Sequence, residues 1–137
     1  MPVSSFATRA ATAYRQTETE SRTPLELVVM LYDGALQHIT AARAAMARGD
    51  VAAGTRANSR ALAIISELQN TLDVERGGEV AASLDELYRY VSSRLVDASF
   101  HRDAAPLDEA ARLLKPLRDA WSTIAQQQPS PATRTNP

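Results

Sequence analysis

Two histidines are the side chains best suited to metal binding or phosphotransfer, and the sequence places them in different elements. Neither His38 nor His101 belongs to a Glu-x-x-His pair of the kind by which helical bundles hold two metal ions. His38 lies within a predicted helix, but the Lys-Gly that would mark a phosphorylated histidine does not follow it. We therefore predict no metal site, and we interpret both histidines as solvated or half-buried side chains.

Two pairs of adjacent carboxylates, Asp85-Glu86 and Asp108-Glu109, could in principle do acid–base chemistry. Each pair falls in the first turn of a predicted helix, where the helix dipole stabilises negative charge, so capping explains them better than catalysis. There is no cysteine, and no serine or threonine is paired with a base by motif. Gly77-Gly78 is too short to cradle a phosphate. We therefore predict a protein that is not an enzyme and has no catalytic residue, cofactor or metal.

Charge and hydropathy limit the classes of partner. The chain carries 15 basic and 16 acidic side chains, so it lacks the excess of positive charge that nucleic-acid binding requires. No run approaches the roughly 18 apolar residues of a membrane span, and Met1 to Arg15 lack the apolar core of a signal peptide. We predict a soluble, cytoplasmic protein that binds no nucleic acid and does not insert into membranes, as a monomer or weak homodimer.

The first long helix has an unusually complete start signal and organises the rest of the chain. Thr23 and Glu26 have the spacing of a capping box, and Pro24 suits the first helical position. The apolar residues from Leu25 to Tyr32 surround nearly the whole helix, whereas a surface helix needs only one apolar stripe. This helix should therefore be central in its domain or be covered by a partner.

Three further apolar stripes with helical spacing follow, separated by Gly49, by Gly77-Gly78 and by the segment before Pro106. We predict an all-α fold, an antiparallel up-down-up-down four-helix bundle over residues 23–127. Residues 1–22 have few large apolar side chains and should form a mobile N-terminal arm, and residues 128–137 should be a disordered tail. Pro116 interrupts the fourth stripe, so we expect the fourth helix to be kinked near it.

Recognition of another polypeptide is the function that the remaining residues favour. The first helix has apolar surface left over, and a bundle offers troughs that can accept a partner helix. On the first helix, the residues turned away from the core should be those around Leu27, Met30 and Leu31. Gly34 lies inside this helix and fits either a close helix crossing or contact with a partner.

Several motifs in a fixed order are similar to those of one known family. They are Thr-Pro-Leu-Glu-Leu-Val-Val-Met-Leu-Tyr-Asp-Gly-Ala at 23–35, Gly-Asp at 49–50, Leu-Asp-x-Glu-x-Gly-Gly-Glu at 72–79, Leu-x-x-Leu-Tyr-x-Tyr at 84–90 and Ala-Trp at 120–121. Each motif alone is common, but together they resemble the flagellar secretion chaperones of the FliS family. The likeness extends from about Tyr14 to Ile124.

The resemblance implies a cytosolic chaperone that holds newly made flagellin, prevents its premature polymerisation and delivers it to the flagellar type III export gate. The client would be the disordered C-terminal segment of flagellin, forming helices in apolar grooves of the bundle. It also implies that Tyr14 docks onto the export-gate protein and covers the groove of the empty chaperone. Ala11, where relatives often have a larger aliphatic residue, and Pro116 depart from the family pattern.

The runner-up hypothesis is a non-catalytic helical adaptor that regulates flagellar assembly without carrying flagellin. Under the leading hypothesis we select eight candidate partner-binding residues from the aromatic residues and the first helix. They are Tyr14, Leu27, Met30, Leu31, Tyr32, Gly34, Tyr88 and Tyr90.

Overall fold

A computed structural model describes residues 9–14 and 23–127 of this chain. They form a short helical turn at residues 9–12 and four long helices, with no strand among the described residues. The helices are α1 (Pro24–Ala47), α2 (Val51–Asn70), α3 (Val74–His101) and α4 (Ala105–Gln126). The predicted all-α fold is confirmed. The expected tail at 128–137 lies outside the described residues.

Side-chain caps fix the starts of the first three helices. The Thr23 hydroxyl accepts from the Glu26 amide at 3.1 Å, and the Glu26 carboxylate accepts from the Thr23 amide at 2.9 Å. This is the predicted capping box, which satisfies two amides that have no partner within the helix. Asp50 and Asp73 each accept from the backbone amide three residues ahead, at the starts of α2 and α3.

Each helix packs against its neighbours in sequence, and α1 also packs against α4. Arg43 bonds Asp108 at 2.7 Å and Asp33 bonds Arg118 at 2.7 Å, so α1 and α4 run in opposite directions. The α2–α3 contacts show the same opposite order, Asn58 to Leu95 and Gln69 to Asp85. An up-down-up-down bundle has these neighbours and directions.

The sequence predicts a buried stripe of α1 with spacings of three and four residues, in which either Leu31 or Tyr32 could point inward; the structure confirms the stripe from Leu25 to Ala42 and places Tyr32 in it. Tyr32, Tyr88, Leu68 and Leu95 are among the large side chains that are fully buried. Burial of one such apolar side chain stabilises the fold by about 1.5–3 kcal/mol before entropy is counted. The core is thus shared by α1, α2 and α3, and Leu107 and Leu114 add α4 to it.

The backbone irregularity inside a helix lies in α3 at Gly78, with φ 56° and ψ −129°. We expected Gly77-Gly78 to end the second helix, and this was wrong because α2 already ends at Asn70. Asp73 caps the first turn of α3, and after this turn the left-handed φ of Gly78 changes the direction of the backbone. The α4 helix is continuous through Pro116, so a kink there stays a prediction.

Candidate partner-binding site

Residues 9–14, which we call the N-terminal segment, lie against the first turn of α3. The Ala13 carbonyl accepts from the Asp73 amide at 2.7 Å, and the Thr12 hydroxyl lies 3.3 Å from the Arg76 carbonyl, to which it donates. Ala10 and Ala13 are fully buried. We expected a mobile arm over 1–22, yet this part of it packs on the bundle because its small residues allow close approach. The rest of the arm lies outside the described residues.

Gly77 makes this close approach feasible. A Cβ atom at Gly77 would lie 2.8 Å from the Ala13 Cα atom and 2.8 Å from the Ala81 Cβ atom. Real Cβ atoms essentially never come within 3.0 Å of such neighbours. The N-terminal segment therefore packs directly on the backbone of α3, and glycine is the residue that permits it.

Three buried tyrosine hydroxyls meet where the N-terminal segment enters the core. The Tyr88 hydroxyl lies 2.5 Å from the Tyr14 hydroxyl and 2.6 Å from the Tyr32 hydroxyl. The Tyr14 ring also packs edge-on against Trp121, with ring centroids 5.4 Å apart. The hydroxyl chain links Tyr14 to α3 and, through Tyr88, to α1, and the ring contact links it to α4. Hydrogen bonds depend on direction, so they fix the position of Tyr14 more closely than apolar packing alone would.

Burial is the main reason why the pKa values of these three hydroxyls are raised. Desolvation raises the pKa of Tyr32 to about 12, against a hydrogen bond from Tyr88 that opposes the rise. Desolvation also raises the pKa of Tyr14. The pKa of Tyr88 is raised still further, because desolvation and the adjacent Tyr14 and Tyr32 hydroxyls act in the same direction. All three hydroxyls therefore stay neutral, and keep their hydrogen bonds, at neutral and moderately alkaline pH.

An apolar groove, which we call the α1–α2 groove, opens beside Tyr14 and has a cavity volume of ≈ 560 Å³. Leu27 and Leu31 are half-buried in its wall, and Met30 is 49% exposed at its edge. Its remaining lining residues come from the N-terminal segment, from α1 and from the C-terminal end of α2: Tyr14, Pro24, Val28, Glu67 and Thr71. The surplus apolar face of α1 thus forms one wall of a trough.

A second trough, the α3–α4 groove, has a cavity volume of ≈ 380 Å³. Its apolar lining is Val80, Leu84, Leu87, Leu117, Ala120, Trp121 and Ile124, with Arg9 and Ala10 of the N-terminal segment as further lining residues. The segment therefore contributes to two apolar grooves, through Tyr14 in one and Ala10 in the other.

The other predicted candidates lie elsewhere. Gly34 is at the α1–α2 crossing, where an added Cβ would lie 3.1 Å from Ile64 Cδ1. Tyr90 is 46% exposed and donates to Glu109 at 2.6 Å, a bond that lowers the pKa of Glu109. Tyr90 is thus in a polar cluster between α3 and α4, away from the buried tyrosines.

Sequence reasoning missed the close packing at Gly77 and the groove between α3 and α4. The available signal for Gly77 was the adjacent pair of glycines, which we interpreted as a helix stop. The groove residues of α3 and α4 were assigned to the core because their spacing is that of a buried stripe. In the described part of the chain, no three His, Cys, Asp or Glu side chains cluster closely enough to hold a metal ion.

Comparison with known proteins identifies the family. The model of the family described as "Flagellar protein FliS" matches residues 7–128. The flagellar secretion chaperone FliS of Salmonella typhimurium is 40% identical over 118 residues, which cover 82% of this chain and 87% of that protein. The flagellar secretion chaperone FliSB of Pseudomonas aeruginosa is 36% identical over 124 residues, 88% of this chain and 98% of that protein. The chain belongs to the FliS family.

The FliS match includes the N-terminal segment, both grooves and all four helices. The FliS protein of Bacillus subtilis is a third relative, 36% identical over 117 residues that cover 85% of this chain and 86% of that protein. Membership of a family of flagellar secretion chaperones supports a chaperone role in flagellum biogenesis. No helix in the described part of this FliS protein is both long and apolar enough to span a membrane.

Proposed function

We propose that this protein is a cytosolic export chaperone that binds the disordered C-terminal segment of flagellin in its apolar grooves. While the client occupies the grooves it cannot polymerise, and the chaperone delivers it to the flagellar type III export gate. The client's apolar helix faces replace water in the grooves, so binding and folding of the client are coupled.

One observation carries this proposal: the N-terminal segment contributes lining residues to two apolar grooves at once. Both grooves are concave and have leucine side chains in their walls, with methionine in one and tryptophan in the other, and a lining of this kind suits the apolar face of a partner helix. The volumes of ≈ 560 Å³ and ≈ 380 Å³ each suit several apolar side chains of a bound helix.

In this proposal the N-terminal segment competes with the client. Tyr14 borders the α1–α2 groove and its hydroxyl bonds Tyr88 in the core, and in this proposal a client that extends past this border displaces it. The released Tyr14 is then free to contact the export-gate protein. Arrival of the client and exposure of Tyr14 are therefore the same event.

Calorimetric titration of the full chain with the C-terminal segment of flagellin from the same organism tests the proposal. We expect saturable binding, a negative heat-capacity change and a gain of helical circular dichroism. Met30→Glu should weaken binding because it puts a charge at the edge of the α1–α2 groove. Val96→Glu is the matched control, since Met30 and Val96 are 49% and 51% exposed and Val96 lines neither groove.

Absence of binding at high micromolar concentration contradicts flagellin as the client. A pull-down from cell extract then separates the two hypotheses. Monomeric flagellin in the eluate supports the chaperone, whereas a flagellar regulator without flagellin supports the adaptor.

A further inference from the structure

Glu67 is the one charged side chain among the described residues that line the α1–α2 groove. It belongs to α2, whereas the apolar wall of this groove belongs to α1. Its side chain is exposed, and among the described residues its carboxylate forms no salt bridge. A partner that enters the groove therefore meets an accessible negative charge beside an apolar surface.

The other polar side chains in the lining of this groove are already bonded within the protein. The Tyr14 hydroxyl lies 2.5 Å from the Tyr88 hydroxyl in the core. The Thr71 hydroxyl donates to the Glu67 carbonyl at 2.9 Å and lies 3.3 Å from the Leu68 carbonyl. The lining residues that remain are apolar: Pro24, Leu27, Val28, Met30 and Leu31. Polar recognition in this groove therefore depends on the Glu67 carboxylate.

The position of Glu67 within α2 is electrostatically unfavourable for the free protein. The helix ends at Asn70, so Glu67 lies in its last turn, where the partial negative charge of the helix end repels a carboxylate. This last turn contains no basic residue. The positive end of α1 also borders the groove, but it is already compensated by the Glu26 carboxylate, which accepts from the Thr23 amide at 2.9 Å. This end of the groove therefore attracts a cation.

We propose that Glu67 determines client specificity, by forming an ion pair with a lysine or arginine side chain beside the apolar face of the bound client helix. Lysine and arginine suit this place because their aliphatic stems cover apolar surface such as Leu27 and Leu31, while the charged head stays at the exposed carboxylate. Apolar contacts alone let a helix shift along the groove, whereas one charge pair favours a single register. This inference rests on the proposed function, since it names a residue class of the same client.

The exposure of Glu67 sets the size of the effect and its dependence on salt. Water and dissolved ions screen an exposed ion pair, so its loss should raise Kd roughly 2- to 5-fold at low ionic strength. At about 1 M salt the screening length falls to about 3 Å, and the contribution of the pair should disappear. The apolar contacts of the same client do not weaken in this way, so salt separates the two contributions.

Calorimetric titration of the full chain with the C-terminal flagellin segment gives the first test. Glu67→Gln keeps the shape of the side chain and removes its charge. Glu86→Gln is the matched control, because Glu86 is also exposed and lines neither groove. We expect Glu67→Gln to bind roughly 2- to 5-fold more weakly than the parent at about 50 mM salt and equally at about 1 M. Glu86→Gln should match the parent in both salts. Equal affinities of Glu67→Gln and the parent at low salt overturn the inference.

Charge reversal identifies the client residue that pairs with Glu67. Each lysine and arginine of the segment is replaced in turn by glutamate, and each product is titrated into the parent, Glu67→Lys and Glu86→Lys. One replacement should weaken binding to the parent and restore it in Glu67→Lys but not in Glu86→Lys. If no position shows this rescue, the inference is overturned while the apolar contacts of the proposed function stand.

Urea unfolding separates recognition from a merely structural role of the carboxylate. If Glu67 serves recognition, the unfolding midpoint of Glu67→Gln should equal or exceed that of the parent, because a charge that opposes the helix dipole has been removed. A lower midpoint with unchanged client affinity means that the carboxylate stabilises the fold instead, and overturns the inference. Failure of the unmodified segment to bind the parent chain at all overturns both proposals.

Discussion

Raising the pH above about 10 should destabilise this bundle through its buried tyrosines. An unfolded chain releases the tyrosine proton near pH 10, but Tyr14, Tyr32 and Tyr88 all have a raised pKa in the folded protein. The folded state therefore holds more protons than the unfolded state at alkaline pH. The stability contributed by these groups is complete below pH 10 and is lost as the pH rises toward and through their folded pKa values.

The magnitude follows from proton linkage. Each buried tyrosine costs about 1.4 kcal/mol per pH unit above 10, so three together cost about 4 kcal/mol at about pH 11. A domain of this size is stable by about 5–15 kcal/mol, so the loss is a large fraction of the total. The chain has one lysine among its 15 basic residues, so few other side chains titrate in this range.

Urea unfolding from about pH 9 to about pH 11 measures this loss, and ultraviolet absorbance counts the ionised tyrosines in the folded protein. Tyr32→Phe should reduce the slope of stability against pH by about a third, because it removes one of three linked groups. Tyr90→Phe is the comparison and should change the slope less, since Tyr90 is 46% exposed and its pKa is raised mainly by a solvent-screened hydrogen bond to Glu109. A stability that stays constant to pH 11, or four tyrosines that all ionise near pH 10 without unfolding, would refute the reasoning.

Three further changes have expected outcomes. Tyr88→Phe should destabilise more than Tyr14→Phe in urea unfolding, by roughly 2–5 kcal/mol against roughly 0.5–1.5, because it removes the shared partner of the Tyr14 and Tyr32 hydroxyls, whereas Tyr14→Phe leaves Tyr88 bonded to Tyr32. Gly77→Ala should displace the N-terminal segment and expose Tyr14 to fluorescence quenchers. Gly54→Ala is its control, because there an added Cβ has ordinary contacts of 3.7 Å and 3.8 Å, and the variant should gain roughly 0.5–1 kcal/mol. Thr23→Ala should cost about 1 kcal/mol of unfolding free energy, and an unchanged midpoint would mean that the capping box is not stabilising.

Local features of the bundle were predictable because they depend on residues close in sequence. The Thr23 and Glu26 capping box and the buried stripe of α1 follow from spacings of three and four residues. Periodicity did not decide between Leu31 and Tyr32 as the inward residue, since both lie near the same face. The choice depends on the Tyr88 hydroxyl across the bundle, 56 residues away in sequence.

The candidate site was predictable only on the side that α1 contributes. Excess apolar residues on one helix are visible in the sequence, and Leu27, Met30 and Leu31 do line a groove. Burial of the N-terminal segment was not predictable, because its small residues gain little from burial individually. It depends on complementary shape at Gly77, where the missing side chain matters more than any side chain present.

Because Gly78 interrupts α3, we expect the first turn of this helix to have a lower free energy of opening than the rest of it. Residues 74–77 form a single turn before the break, and the preceding Asp73 amide is bonded to Ala13 across the chain. Lifting the N-terminal segment therefore breaks that bond and removes the packing on Gly77, without requiring the rest of α3 to open. In native-state hydrogen exchange, the Asp73 amide should exchange with the free energy of this local opening, well below that of α3 residues such as Val91 and Leu95. We therefore expect residues 9–14 and 74–77 to open together as a unit of about ten residues, whose opening free energy a partner of the N-terminal segment would alter.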